Sequence, residues 1–140
     1  MAELHTLEPA VHAVLASPEA CDAAAGTSQV VRLSPTESML VGELDAAALE
    51  RAVLEVDPSA LVVDVTDGWS AFLLEGEGSR EAFARLSELG LPAEGAVAGE
   101  VARIGVRVIA EGDRLTLLVP SMLADHLLER IRTDCAELLK

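Results

Sequence analysis

The chain has 140 residues, 51% of them hydrophobic, which is enough apolar material for one packed core without disulfide or metal staples and too little length for two ordinary domains. Its 24 acidic residues against 10 basic ones give a formal charge of −14, a field that repels phosphate backbones and anionic lipid, so nucleic acid and membrane partners are not expected. Two cysteines, Cys21 and Cys135, and an aromatic content of 2% speak against a disulfide framework, a zinc knuckle or the stacking platforms that bases and flavins use.

Residues 1 to 28 carry only weak periodicity. The Ala-rich stretch from Ala20 to Gly26 reads as a short helix or a loose arm. From Gln29 the pattern sharpens: Val30, Val31 and Leu33 form a strand, Ser34-Pro35-Thr36-Glu37 a turn, and Met39, Leu40 and Val41 a return strand. Asp45 then caps a helix in which Leu49, Ala52, Val53 and Val56 recur at helical spacing until Asp57-Pro58 stops it.

Next comes a β-branched run, Val62-Val63-Asp64-Val65-Thr66, followed by Asp67-Gly68, a strong two-residue hairpin signal. A second strand, Trp69 to Glu75, ends at the Gly76-Glu77-Gly78 corner. Ser79 is expected to cap a helix with Ala82, Phe83, Leu86 and Leu89 on its apolar face, ended by Gly90 and Pro92. A three-strand meander follows, roughly Glu100 to Arg103, Val106 to Ala110 and Leu115 to Val119, with Glu111-Gly112-Asp113 as its second turn. The last helix starts near Ser121 and aligns Leu123, Leu127, Ile131, Cys135 and Leu138. Two hairpin-then-helix segments, one from Val31 and one from Val108, resemble each other. Together they imply an α+β fold, an antiparallel sheet of hairpin-helix units with helices on one face. The expected organisation is an amino-terminal arm or short helix over 1–28 and a single α+β domain over 29–140.

Catalytic chemistry is not visible in the residue pattern. Gly76-Glu77-Gly78 lacks the third glycine of a dinucleotide loop, and Glu75 and Glu77 put negative charge where a pyrophosphate would sit. His5, His12 and His126 have no ligand spacing with one another or with the cysteines, so no metal site is expected. Ser70 and Ser121 lack a nucleophile elbow. A carboxylate beside the single Trp, Asp67 and Trp69, is either a turn-former next to a packed aromatic or the rim of a pocket. No basic start leads into an apolar run near Met1, and no stretch approaches the ~18 apolar residues of a membrane helix, so a soluble cytoplasmic protein is expected.

Several segments, in order, are similar to the gamma subunit of heterotetrameric sarcosine oxidase, a small relative of the folate-binding domain in glycine-cleavage aminomethyltransferases. Leu33-Ser34-Pro35-Thr36-Glu37-Ser38-Met39-Leu40-Val41-Gly42 resembles the family's Gly-Pro-Asp-Glu-Trp-Leu-Leu hairpin, and Val63-Asp64-Val65-Thr66-Asp67-Gly68 its Asp-Val-Ser-Asp strand. Gly76-Glu77-Gly78-Ser79-Arg80 resembles the Gly-Pro-Gly-Ala-Arg corner, and Leu118-Val119-Pro120-Ser121-Met122-Leu123-Ala124-Asp125-His126-Leu127 the closing Leu-Val-Pro-Arg-Ser-Phe-Ala-Asp-Tyr-Leu segment. The likeness covers roughly residues 29 to 139. It departs where the hairpin Trp gives way to Ser38 or Met39, and the final helix's aromatics to Leu123 and His126.

The resemblance implies an accessory subunit without catalytic residues. Flavin, NAD and folate would be carried by larger partner subunits, and no cofactor by this chain. High hydrophobicity, with a mean hydropathy of +0.36, fits a surface that another protein covers. Two other readings stay open: a stand-alone folate or one-carbon-ligand binding domain with Asp67, Trp69 and Arg103 around the ligand, and a homo-oligomeric scaffold.

Overall fold

The computed structural model describes residues 1–25, 29–43 and 45–140, so Gly26 of the Ala-rich stretch lies outside the described residues. Along them the chain runs β1 (Glu3–Leu7), β2 (Val11–Leu15), α1 (Pro18–Ala24), β3 (Gln29–Ser34), β4 (Glu37–Val41), α2 (Ala46–Val56) and β5 (Leu61–Asp64). It continues with a 3-10 turn at Thr66–Gly68, then β6 (Trp69–Glu75), α3 (Ser79–Leu86), β7 (Glu94–Val101), β8 (Ile104–Glu111), β9 (Arg114–Pro120) and α4 (Ala124–Asp134). No helix among the described residues is long and apolar enough to cross a membrane.

The fold is α+β with antiparallel strand ladders, but the strands form two sheets, ordered β1-β6-β9-β8-β7 and β3-β4-β2-β5. The chain divides into two compact units accordingly. One comprises Met1–Glu8 with Asp67–Lys140, the other Pro9–Thr66. The expected division at residue 28 is therefore replaced by a segment inserted, in sequence, between β1 and β6. Residues 1–25 are not an arm: β1 pairs with β6 and β2 lies between β4 and β5, while α1 is the short helix foreseen there.

The Asp67-Gly68 hairpin is a second correction. Strand β5 pairs with β2, whereas β6 pairs with β1 and β9, so the turn at Thr66–Gly68 passes the chain from one sheet to the other. Turn chemistry reports that the chain reverses or bends. It does not report which strand supplies the hydrogen bonds.

In the first unit, helices α3 and α4 cover one face of the five-stranded sheet. Phe83, Leu86, Leu127, Ile131 and Cys135 pack on Phe72, Leu74, Val106, Val108, Leu115 and Leu117. Phe83 is 2% exposed, and burying a side chain of that size stabilises by about 1.5–3 kcal/mol. Strand β6 reads as a continuous apolar run because Leu73 as well as Phe72 and Leu74 is buried, and the strand has a neighbour on each edge. In the second unit Val14 and Leu40 of the sheet meet Ala20, Cys21 and Ala24 of α1 and Leu49 and Val53 of α2. Asp45 caps α2 as expected, accepting from the amides of Ala47 (3.0 Å) and Ala48 (3.1 Å). The two similar hairpin-helix segments, β3-β4-α2 and β8-β9-α4, fall one in each unit.

The glycine corner before α3 is structural. Gly76 and Gly78 both hold positive φ, +96° and +91°. Gly78, and not Ser79, is the residue that flanks the helix; Ser79 is its first turn, and its Oγ donates to the Asp113 carbonyl at 2.9 Å. Arg80 ties the same corner to its surroundings, Nε donating to the Gly112 carbonyl (2.9 Å) and Nη2 to those of Pro92 (3.0 Å) and Ala93 (3.2 Å). Helix α3 stops at Leu86, short of the expected Leu89, because Ser87 turns extended and its hydroxyl accepts the Leu89 amide at 3.0 Å. Substituting Gly78→Ala forces a side chain into left-handed backbone and should cost about 1–2 kcal/mol, read as a lower urea midpoint at unchanged slope.

Candidate functional site

The three residues singled out in the sequence do not meet in one cavity. Asp67 is exposed in the 3-10 turn, and its contribution is a main-chain one: its carbonyl accepts from Ser121 Oγ at 3.0 Å, which joins the start of β6 to the end of β9. Trp69 opens β6 directly opposite Pro120 of β9. Its indole reaches across β9 to Arg107 of β8, whose guanidinium sits 4.3 Å from the ring centroid. Register explains the contact, since Pro120 and Leu118 face the same way and pair with Trp69 and Arg107 on either side. Such a stack contributes about 0.5–1 kcal/mol where it is partly exposed.

Beside the stack lies a groove of about 450 Å³, with Ala98, Gly99, Glu100 and Gly105 along it. Gly105 leaves the space open. Gly105 has nothing within 4 Å of where a Cβ would be, whereas a Cβ at Gly99 would stand 2.8 Å from Leu89 Cδ1. The groove thus offers a flat aromatic surface, a fixed cation and the Glu100 carboxylate, which suits recognition of an anionic or planar group. Arg107 was not foreseen, because only the pairing register across β9 brings it to Trp69.

Arg103 is elsewhere. It does not continue a strand as expected but occupies the tight turn between β7 and β8, where Ala102 and Arg103 both take positive φ, +51° and +66°. Two successive left-handed residues define the hairpin turn whose twist matches the strands, a position that glycine or asparagine usually fills. Arg103 is exposed there and lines a second groove of about 690 Å³ with Arg85, Ser87 and Glu100. Arg85 also pairs with Glu137, and this holds the Glu137 carboxyl below the ordinary carboxylate range.

The nucleophile candidates are engaged in structural contacts. Ser70 Oγ donates to Ser121 Oγ at 3.4 Å. Cys135 is buried, its Sγ donates to the Ala82 carbonyl at 3.3 Å, and burial pushes the thiol up, away from the thiolate that would attack. His12 is buried with Nδ1 unpartnered and Nε2 4.0 Å from Asp64. Among the described residues no serine or cysteine hydrogen-bonds a histidine, the contact by which a base activates such a nucleophile.

No family model matches the chain. Among solved structures it superposes on the heterotetrameric sarcosine oxidase from Corynebacterium sp. U-96, solved with pyrrole 2-carboxylate, over 98% of this chain and 85% of that one, with a TM-score of 0.81 and 17% identity. The fold is that of the sarcosine oxidase chain. It is shared with aminomethyltransferase T of the glycine cleavage system from Bartonella henselae, at a TM-score of 0.74 and 17% identity, over 99% of this chain but 47% of the transferase. The fold that the sequence resemblance implied is therefore the one observed. By sequence, 73 residues are 38% identical to a segment of glutamate–tRNA ligase 2 from Methylobacterium radiotolerans, 52% of this chain but 15% of the ligase.

Two substitutions test the geometry. Trp69 is the single Trp, so Arg107→Ala should shift its emission to the red and raise its quenching by acrylamide, with stability changed by about 1 kcal/mol or less. Arg103→Gly relieves left-handed strain and should stabilise by about 0.5–1 kcal/mol in a urea titration.

Proposed function

We propose that this chain is a non-catalytic subunit of a multi-subunit, flavin- and folate-dependent amine oxidase of the sarcosine type, and that its role is to stabilise the assembly. The observation that carries the reading is the extent of the likeness: nearly all of this chain matches most of one oxidase chain, whereas it spans less than half of the aminomethyltransferase. A chain of similar extent and the same fold has the dimensions of one subunit of such an assembly. In this reading the flavin, NAD and folate are held by larger partner subunits in the cytoplasm, and this chain contributes surface in place of cofactor ligands. Exposed Met122 at the start of the last helical segment, 89% accessible, and Leu61 of β5, 55% accessible, are apolar groups that a partner would cover.

The groove beside Trp69 favours a second reading, a folate or other one-carbon ligand bound by this chain itself, its carboxylates drawn to Arg107. One experiment separates the two. A tagged full-length chain is recovered from its native host, the bound proteins are identified by mass spectrometry, and the eluate's absorbance is recorded. Stoichiometric recovery of a large yellow partner is the expected result. Recovery of a colourless protein alone overturns the subunit reading; Trp69 quenching by a reduced folate then supports the ligand-binding domain, and a multimeric mass in solution supports a self-assembling scaffold.

A further inference from the structure

The edge where β1 pairs with β6 gathers residues that are far apart in the chain. Glu3 lies directly opposite Glu75 in the ladder, and His5, two residues along β1, shares their face. Like charges opposed across an antiparallel pair repel, and here each carboxylate is held by a cation through one oxygen only. Lys140 Nζ donates to Glu3 Oε1 at 3.2 Å, and Arg114 Nη1 donates to Glu75 Oε2 at 2.8 Å. The other oxygens, Glu3 Oε2 and Glu75 Oε1, each lie 3.3 Å from His5 Nε2.

We propose that Glu3 Oε2, Glu75 Oε1 and His5 Nε2 form a divalent metal site, with zinc as the ion this donor set favours. Three observations point there. The three residues' ligand atoms all lie within 4.8 Å of one another, and the two distances from the imidazole match the edges of a tetrahedron, about 3.3–3.6 Å for bonds of about 2.0–2.2 Å. One imidazole with two carboxylate oxygens suits zinc better than the all-oxygen sets that calcium and magnesium take. Finally, the split of each carboxylate between an inner oxygen and a cation-bound outer one is the arrangement by which outer partners orient metal ligands.

Access is available, because Glu3 and Glu75 border a cleft of about 420 Å³ shared with Met1, Gly76, Glu77 and Lys140. Three protein ligands leave a fourth position for water. An ion there would bridge the edge strand β1 to β6, close to where the Lys140 amide donates to the Ala2 carbonyl at 2.9 Å.

The test uses the untagged full chain, stripped with chelator and titrated with zinc chloride by calorimetry at neutral pH, with cobalt(II) absorption as a spectroscopic probe. The expected result is one ion per chain, a raised melting temperature with zinc, and the intense visible bands of tetrahedral cobalt. Affinity should fall about tenfold or more in His5→Ala and in Glu75→Gln, and stay unchanged in Glu50→Gln, which removes the same charge from an exposed position on α2. Absence of saturable binding, or equal binding by His5→Ala and the unaltered chain, overturns the site. Should either site variant melt early in chelator, the cobalt spectrum of the unaltered chain decides, and weak octahedral bands or none overturn it.

Discussion

The pairing of β1 with β6 is the constraint on which the first unit depends. Residues 3–7 add the fifth strand to a sheet whose other strands come from residues 69–120, and the ladder runs from Glu3 opposite Glu75 to Leu7 opposite Ala71. Without it, β6 would present an unpaired edge beside a continuous apolar run, the arrangement that invites another chain to add on. Closing this pair across the inserted second unit costs loop entropy, but that cost rises only slowly with length, by about 0.6 kcal/mol per doubling. Once closed, it also brings Ala2 to Leu138 and Lys140, whose backbone hydrogen bonds lie at 2.9 Å.

Much of the fold was legible because it is local. The β3-β4 hairpin, the Asp45 cap, the glycine corner and the stripe of Leu127, Ile131 and Cys135 all rest on residues within one turn or one helix of each other. What failed was partner choice. Strands β1 and β2 are short, contain His5 and His12, and lie among Ala and Glu, so their alternation is faint; tertiary pairing makes them strands. The Asp67-Gly68 signal predicts a hairpin, whereas the chain changes sheets there. The turn at Ala102 and Arg103 carries no turn signature in the sequence because it uses neither glycine nor asparagine.

The sites follow the same division. Trp69 stood out as the single Trp, yet its partner Arg107 is set by register across an intervening strand. The Glu3, His5 and Glu75 cluster depends on a ladder between the two chain segments of the first unit, and spacing along the chain carries no trace of it. Arginine serves in several capacities for a chain with so few basic residues: Arg80 ties the start of α3 to the segment before β7 and to the β8–β9 turn through three carbonyls, Arg107 stacks, and Arg114 and Arg85 hold carboxylates. Its planar fork, unlike a lysine's point charge, satisfies several acceptors at once.

The insertion of residues 9–66 between β1 and β6 also sets an order of events on the ribosome. Strand β1 leaves the exit tunnel before β6 and has no neighbour until residues 71–75 follow, a wait of roughly 3–14 s at ~5–20 residues per second. During that time the second unit is free to fold by itself, and β1 must remain extended and soluble. A five-residue strand in which Glu3, His5 and Thr6 separate Leu4 and Leu7 is short and polar enough to wait without aggregating. The polar residues of β1 are thus as useful to the nascent chain as they are to the finished sheet edge.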